Sequence, residues 1–122
     1  MAKTFARRHR LTKTDEFSSV FGFRRAIRGR LLTLHYQPRP DGQTEARIGI
    51  VVGKKVLRRA VDRNKLKRII REHFRSLQVD LPAVDLVVRL AVKSTRLDGK
   101  MLADDFITLL ERLPQRRSKT AG

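Results

Sequence analysis

Apolar residues recur along this chain with two periods, and the switches between them mark out its elements. Phe17, Val20 and Phe21 share one face at helical spacing, which predicts a helix over about 14–21. Thr12 or Thr14 is its expected N-cap, Asp15 and Glu16 suit its first turn, and Gly22 is its expected stop. Phe23–Ile27 reads as loop or as a short edge strand. Arg30–Gln37 alternates, with Leu32, Leu34 and Tyr36 pointing one way and Leu31, Thr33 and His35 the other. Turn residues Pro38, Pro40, Asp41 and Gly42 predict a hairpin leading into a strand over Ala46–Val52. That strand lacks clean alternation, so it is expected to be central and covered on both faces.

A second helix is predicted to start between Leu57 and Val61 and to run to about Leu77. Its Leu66, Ile69, Ile70, Phe74 and Leu77 fall in one arc. Val84–Val92 alternates strictly, with Val84, Leu86, Val88, Leu90 and Val92 on one face and Asp85, Val87, Arg89 and Ala91 on the other. A last helix over about 99–113 carries Leu102, Phe106, Leu109, Leu110 and Leu113 as its stripe, and Pro114 closes it. The predicted order is α, two or three β, α, β, α: one sheet with helices against it, no internal repeat and one domain over residues 1–122.

Charge changes this picture most in the second helix. The 22 residues from Lys54 to Arg75 hold ten Lys/Arg against two acids, Asp62 and Glu72, which is +8 of the chain's +17. Asn64, Lys67, Arg68, Arg71 and Arg75 lie opposite the apolar arc, with Arg63 and Lys65 at its flanks. Such a helix docks by one stripe and presents a cationic ridge. Neighbouring cations on it repel by a few tenths of a kcal/mol per pair, a cost consistent with a polyanion to be placed there. Asn64 is a poor helix-interior residue and suits a hydrogen-bonding interface. Lys+Arg 29 against Asp+Glu 12 points to nucleic acid or an anionic surface. A basic arm (about 1–12) and a basic tail (about 114–122) flank the domain and are expected to be mobile.

The sequence excludes several kinds of chemistry. With no cysteine there are no disulfides or thiolate metal sites. No apolar run approaches the roughly 18 residues a membrane span needs, and the N-terminus does not read as a secretory signal, so a cytoplasmic protein without a membrane role is expected. His9, His35 and His73 have no neighbours at ligand spacing, and Asp104-Asp105 reads as a solvated helix face; no metal site and no catalytic residue is expected on the chain. Gly49 and Gly53 suit a close approach by protein or RNA. Phe17 and Phe21, with Tyr36 or His35 from the next strand, are the candidate platform for stacking bases. Periodicity alone favours a core role for both phenylalanines.

The stretch KKVLRRAVDRNKLKRIIREHFR resembles the signature of the bacterial ribonuclease P protein component, with Arg63-Asn64-Lys65 where that family has Arg-Asn-Arg. A lysine there keeps the charge but loses the bidentate fork. RLTKTDEFSSVF, RIGIVVGKK and LPAVDLVVRLAV extend the resemblance over most of residues 10–113. It implies an α+β fold of the ribosomal protein S5 domain 2-like kind: one four-stranded sheet and three helices, order α-β-β-β-α-β-α, with a left-handed β-α-β crossover through the basic helix. It implies an accessory subunit of an endoribonuclease that removes the 5′ leader of precursor tRNA, with Mg²⁺ held mainly by the RNA subunit, which does the chemistry. Arg58, Arg59, Arg63, Asn64, Lys65, Lys67, Arg68 and Arg71 are then expected to bind that catalytic RNA. Phe17, Phe21, Tyr36, Lys54 and Lys55 are expected to line the cleft for the precursor leader, with no obligate protein partner. The alternative is a ribosomal-type structural RNA-binding protein.

Overall fold

Alternation along one strand decides the layering of this protein. The computed structural model describes residues 9–40, 44–93 and 98–114. Its elements are α1 (Thr14–Phe23), β1 (Ala26–Arg28), β2 (Leu32–Pro38), β3 (Arg47–Val51), α2 (Ala60–Leu77), β4 (Val84–Leu90) and α3 (Gly99–Glu111). In β4, Val84, Leu86, Val88 and Leu90 enter a core shared with α2 and α3. Val87 instead joins Leu11 and Val20 in a smaller cluster under α1, which Phe17 and Val51 complete. The sheet is therefore covered by α2 and α3 on one face and by α1 on the other.

Strand order is β1-β2-β4-β3, with β4 antiparallel to β2 and parallel to β3. The expected α+β architecture, three helices on one four-stranded sheet, is observed, and β3–α2–β4 forms the parallel crossover. The hairpin expected between β2 and β3 does not exist, because β4 lies between them and pairs with both. Nor is β3 central: it is an edge strand covered on both faces, and an isolated bridge from Arg10 to Ile48 lines its outer side. Leu11 N–H donates to the Ile48 carbonyl at 3.0 Å, and Leu11 is buried. The arm expected over about 1–12 is thus fixed from residue 9 onward; residues 1–8 and the tail over 115–122 lie outside the described residues.

Helix ends depart from expectation for local reasons. No threonine side chain caps α1. Glu16 Oε1 reaches back to accept from the backbone N–H of Thr12 (2.9 Å) and Lys13 (3.0 Å), satisfying donors the first turn leaves over. The helix runs through Gly22, a penalty of about 1 kcal/mol, and ends where Arg24 turns left-handed at φ 63° with its N–H on the Phe21 carbonyl. In α2, Leu66, Ile70 and Phe74 are buried as the periodicity requires.

Asp105 overturns an expectation. Asp104 is solvated beside Lys100, but Asp105 is only 7% exposed. Its Oδ1 accepts from Arg30 N–H, and its Oδ2 from Leu31 and Leu32 N–H, each at 2.9 Å. The carboxylate also fills the space where a Cβ on Gly29 would sit, so a side chain at this turn would displace it from its donors. One side chain thereby fastens α3 to the β1–β2 turn. Asp105→Ala is expected to cost about 3 kcal/mol, since it strands buried backbone donors. Asp104→Ala is expected to stay within about 0.5 kcal/mol. Urea unfolding of both variants checks the contrast, and equal midpoints would refute it.

Candidate nucleic-acid interface

Cross-strand register arranges the α1 face of the sheet in three rows. Gln37, Asp85 and Arg47 form the first, and Ala26, His35, Val87 and Gly49 the second. The third, Arg28, Thr33, Arg89 and Val51, crosses all four strands. Side chains of α1 land on the first two: Ser19 donates to Gln37 at 2.8 Å, Val20 packs on Val87, and Phe21 meets His35 edge-on at 4.8 Å between ring centroids. The Phe17 ring lies directly over Gly49, in the space a Cβ would need. The close approach that Gly49 permits is therefore made by the protein's own phenylalanine.

Charge pins α1 in place. Arg47 grips Asp85 with two parallel bonds of 2.8 Å, Nε to Oδ1 and Nη2 to Oδ2, and reaches Glu16 Oε2 from Nη1 at 3.1 Å. Arg39 approaches the same Asp85 carboxylate at 3.6 Å. The Asp85 hydrogen bonds hold the Arg47 guanidinium more firmly protonated than usual. The backbone N–H groups of Lys13 and Thr12, with Arg47, keep Glu16 below the ordinary glutamate range. Both acids are consumed in fixing the helix over the sheet.

What remains for the candidate cleft is the sheet face beside α1, where the Phe21–His35 pair and Arg89 stand in adjacent rows. Phe17 is half-buried and Phe21 37% exposed, so Phe17 serves mainly as packing and Phe21 as the accessible ring. Arg89 is exposed although it stands on a central strand. Tyr36 is not in this cleft: neighbouring strand residues face opposite ways, and Tyr36 packs against the α2/α3 core. The residue that completes the wall is His35. Alternation already separated the two, but the loop that follows the strand left open which of them faces α1. Arg47, Gln37 and Arg89 were also missed, since nothing local marks a charged strand residue as facing a helix.

The cationic ridge lies on the other side of the molecule. Arg58, Arg59, Asn64, Lys65 and Arg68 are exposed, and Arg63, Lys67 and Arg71 are half-buried. Arg63 has a structural task as well: its Nη1 donates to the carbonyls of Leu57 (2.8 Å) and Arg58 (2.7 Å), locking the approach to α2. Arg59 pairs loosely with Asp62 at 3.5 Å. Burial, and next the charge of Arg10, push the Arg71 pKa down; Arg10 itself bridges to Ile48 on the outer side of β3. Lys54 and Lys55 are exposed on the turn that leaves the Val51 end of β3, closed by Val56 and Leu57 N–H on the Gly53 carbonyl.

His35 reports on the cleft. Burial, helped by the Arg89 charge, pushes its pKa below the usual 6.5, and its Nε2 is buried with no hydrogen-bond partner among the described residues. The fold therefore favours neutral imidazole, and the unfolded chain binds the extra proton first. This stabilisation is complete above about pH 6.5 and is lost as pH falls through the lower folded value. His35→Gln is expected to flatten the decline in stability between about pH 7 and pH 5. An NMR titration placing His35 at or above 6.5 would contradict the geometry.

Comparison with known proteins agrees with this architecture. The family model described as ribonuclease P matches residues 5–114. Over 107 residues the chain is 55% identical to the ribonuclease P protein component of Azoarcus sp. strain BH72, covering 88% of each. It is 50% identical over 104 residues to that of Aromatoleum aromaticum, covering 85% of this chain and 86% of the other. Among solved structures, the RNase P protein from Thermotoga maritima superposes with a TM-score of 0.74 at 29% identity, covering 87% of this chain and 98% of that one.

Proposed function

We propose that this chain, which belongs to the ribonuclease P protein family, docks its α2 ridge on a catalytic RNA and takes the single-stranded 5′ leader of precursor tRNA into the cleft beneath α1. Ribonuclease P is an endoribonuclease of which the protein component is a part. One observation carries the reading: an aromatic pair and an uncovered central arginine stand in adjacent rows of the sheet face opposite the cationic helix. Two nucleic-acid surfaces set back to back suit a protein that holds an enzyme RNA on one side and a substrate strand on the other.

Each part has a physical role in this scheme. Phe21 and His35 offer faces and edges to unpaired bases, which stack with little regard to sequence. Arg89, Lys54 and Lys55 neutralise the phosphates of the same strand. Arg58, Arg59, Arg63, Asn64, Lys65, Lys67, Arg68 and Arg71 hold the backbone of the catalytic RNA, releasing counterions as they dock. A chain of net charge +17 between two RNAs screens their mutual repulsion. Mature tRNA lacks the leader, so the cleft contacts alone separate precursor from product.

Three of the chain's acids are committed to the fold. Asp85 is taken by Arg47, Asp105 by three backbone donors, and Glu16 by the α1 turn. Among the described residues no three His, Asp or Glu side chains gather where they could hold a metal ion. In the proposed scheme Mg²⁺ sits mainly with the RNA subunit, which cuts the phosphodiester, while this chain binds and orients. No helix among the described residues is long and apolar enough to cross a membrane.

The decisive measurement is cleavage of precursor tRNA by the cognate RNA at low Mg²⁺, with and without this protein. Restored cleavage is expected; binding to RNA without any effect on cleavage would favour the ribosomal-type reading. Within the assembled enzyme, Phe21→Ala is expected to weaken precursor binding by about 1–3 kcal/mol and to leave mature tRNA unaffected. Arg68→Ala is expected to lower the salt slope of assembly with the RNA by about one unit. An unchanged slope would move the docking face off α2.

A further inference from the structure

Four of the seven residues from Arg24 to Arg30 are arginines: Arg24, Arg25, Arg28 and Arg30. Periodicity assigns this segment nothing beyond a short edge strand. All four are exposed, and among the described residues none of them forms an ion pair. A fifth cation joins them, because Arg112 at the end of α3 donates to the Arg28 carbonyl at 3.1 Å. The neighbouring acids offer no relief, since Asp105 is committed to backbone donors and Asp104 pairs with Lys100. Cations gathered this densely raise the energy of the folded state by self-repulsion.

Their position in the fold is more informative than their number. The α2 ridge follows β3, one edge of the sheet, in the chain; these arginines line or flank β1, the other edge. The third row on the α1 face joins the two, running Val51, Arg89, Thr33, Arg28 across all four strands. At about 4.8 Å between strands this row spans about 14 Å. Lys54 and Lys55 follow one end of it, Arg89 stands in the middle, and Arg28 and Arg30 occupy the other end. Arg24 continues along the same edge, and Arg25 turns to the other face beside Tyr36 and Leu113, where a strand that has crossed β1 arrives.

A leader has one end fixed by chemistry: its 3′ nucleotide carries the scissile phosphate, which the catalytic RNA holds. With that RNA on α2, the strand enters the row at the β3 side, and its 5′ part leaves over β1. We propose that Arg25, Arg28 and Arg30, supported by Arg24 and Arg112, bind the phosphates of the leader's 5′-distal nucleotides, beyond those held in the aromatic cleft. This extension rests on the leader-cleft reading above, and it gives the protein a preference for long leaders over short ones.

The test uses the assembled enzyme and precursors whose leaders are about four and about twelve nucleotides long, a span comparable to single-strand site sizes. The triple variant R25Q/R28Q/R30Q is expected to lose about tenfold in affinity for the long leader and less than about twofold for the short leader and for mature tRNA. Replacing the same three residues by lysine is expected to restore most of the loss, since charge rather than a bidentate fork carries the contact. Equal loss for all three ligands would place the arginines on the catalytic RNA or the tRNA body and overturn the inference while leaving the cleft reading intact. No loss for any ligand would overturn it as well. Should the wild-type enzyme fail to separate precursor from mature tRNA, the cleft reading and this extension fall together. Independently of any folding defect in the variant, a photoreactive 5′-terminal nucleotide on the long leader is expected to crosslink the unaltered protein within residues 24–30; crosslinks confined to other residues would refute the assignment.

Discussion

A single guanidinium ties the first helix to the sheet. Arg47 bridges Asp85 on the central strand and Glu16 on α1, and so fixes the height and angle at which the helix sits over the sheet. The apolar cluster beneath α1 is small, with Leu11, Val20 and Val87 fully enclosed, and would not by itself specify that placement. The Arg47 and Asp85 side chains are 22% and 12% exposed. Removing either partner leaves the other charge poorly solvated, which typically costs several kcal/mol. Everything proposed for Phe21, His35 and Arg89 depends on that clamp.

The acids and bases divide the work unequally. With 12 carboxylates against 29 cations, several of the acids hold the fold together: Asp85 and Glu16 at the clamp and Asp105 under the β1–β2 turn, while Asp98 on the surface caps α3 by accepting from Lys100 and Met101 N–H. A few cations are drawn inward with them, Arg47 above all and Arg63 in part. The rest are left facing water, on the α2 ridge, on the row through Arg89 and along β1. Their repulsion is tolerable because the internal carboxylates have already secured the fold.

Much of the architecture was legible from periodicity. The α3 stripe and the alternation of β4 required no information from elsewhere in the chain, because each depends on one element packing against one core. What periodicity could not supply was which strands are neighbours. Pro38, Pro40, Asp41 and Gly42 are local turn signals, and they cannot show that β4 enters between β2 and β3. The same gap hid the partners of Arg47. Asp105 was within reach: it lies beside Leu109 on the helical wheel, at the margin of the apolar arc, whereas Asp104 points away. Its pairing to the β1–β2 turn, some 74 residues distant in sequence, was not. In the site, helical spacing put Phe17 and Phe21 on one face of α1, and that face meets the sheet at Gly49 and His35. Tyr36 was misassigned against the alternation of its own strand.

The bridge from Arg10 to Ile48 has a consequence for the solitary state of the sheet. An open sheet ends in two rows of unpaired backbone groups, and such rows invite a second chain to add a strand. Here Arg10 and Leu11 occupy the outer side of β3. The opposite border, β1, is three residues long and bristles with arginines, and two such borders repel before they can pair. The protein thus discourages self-templated stacking at both margins, a useful property for a chain this basic when it meets RNA that could draw many copies together.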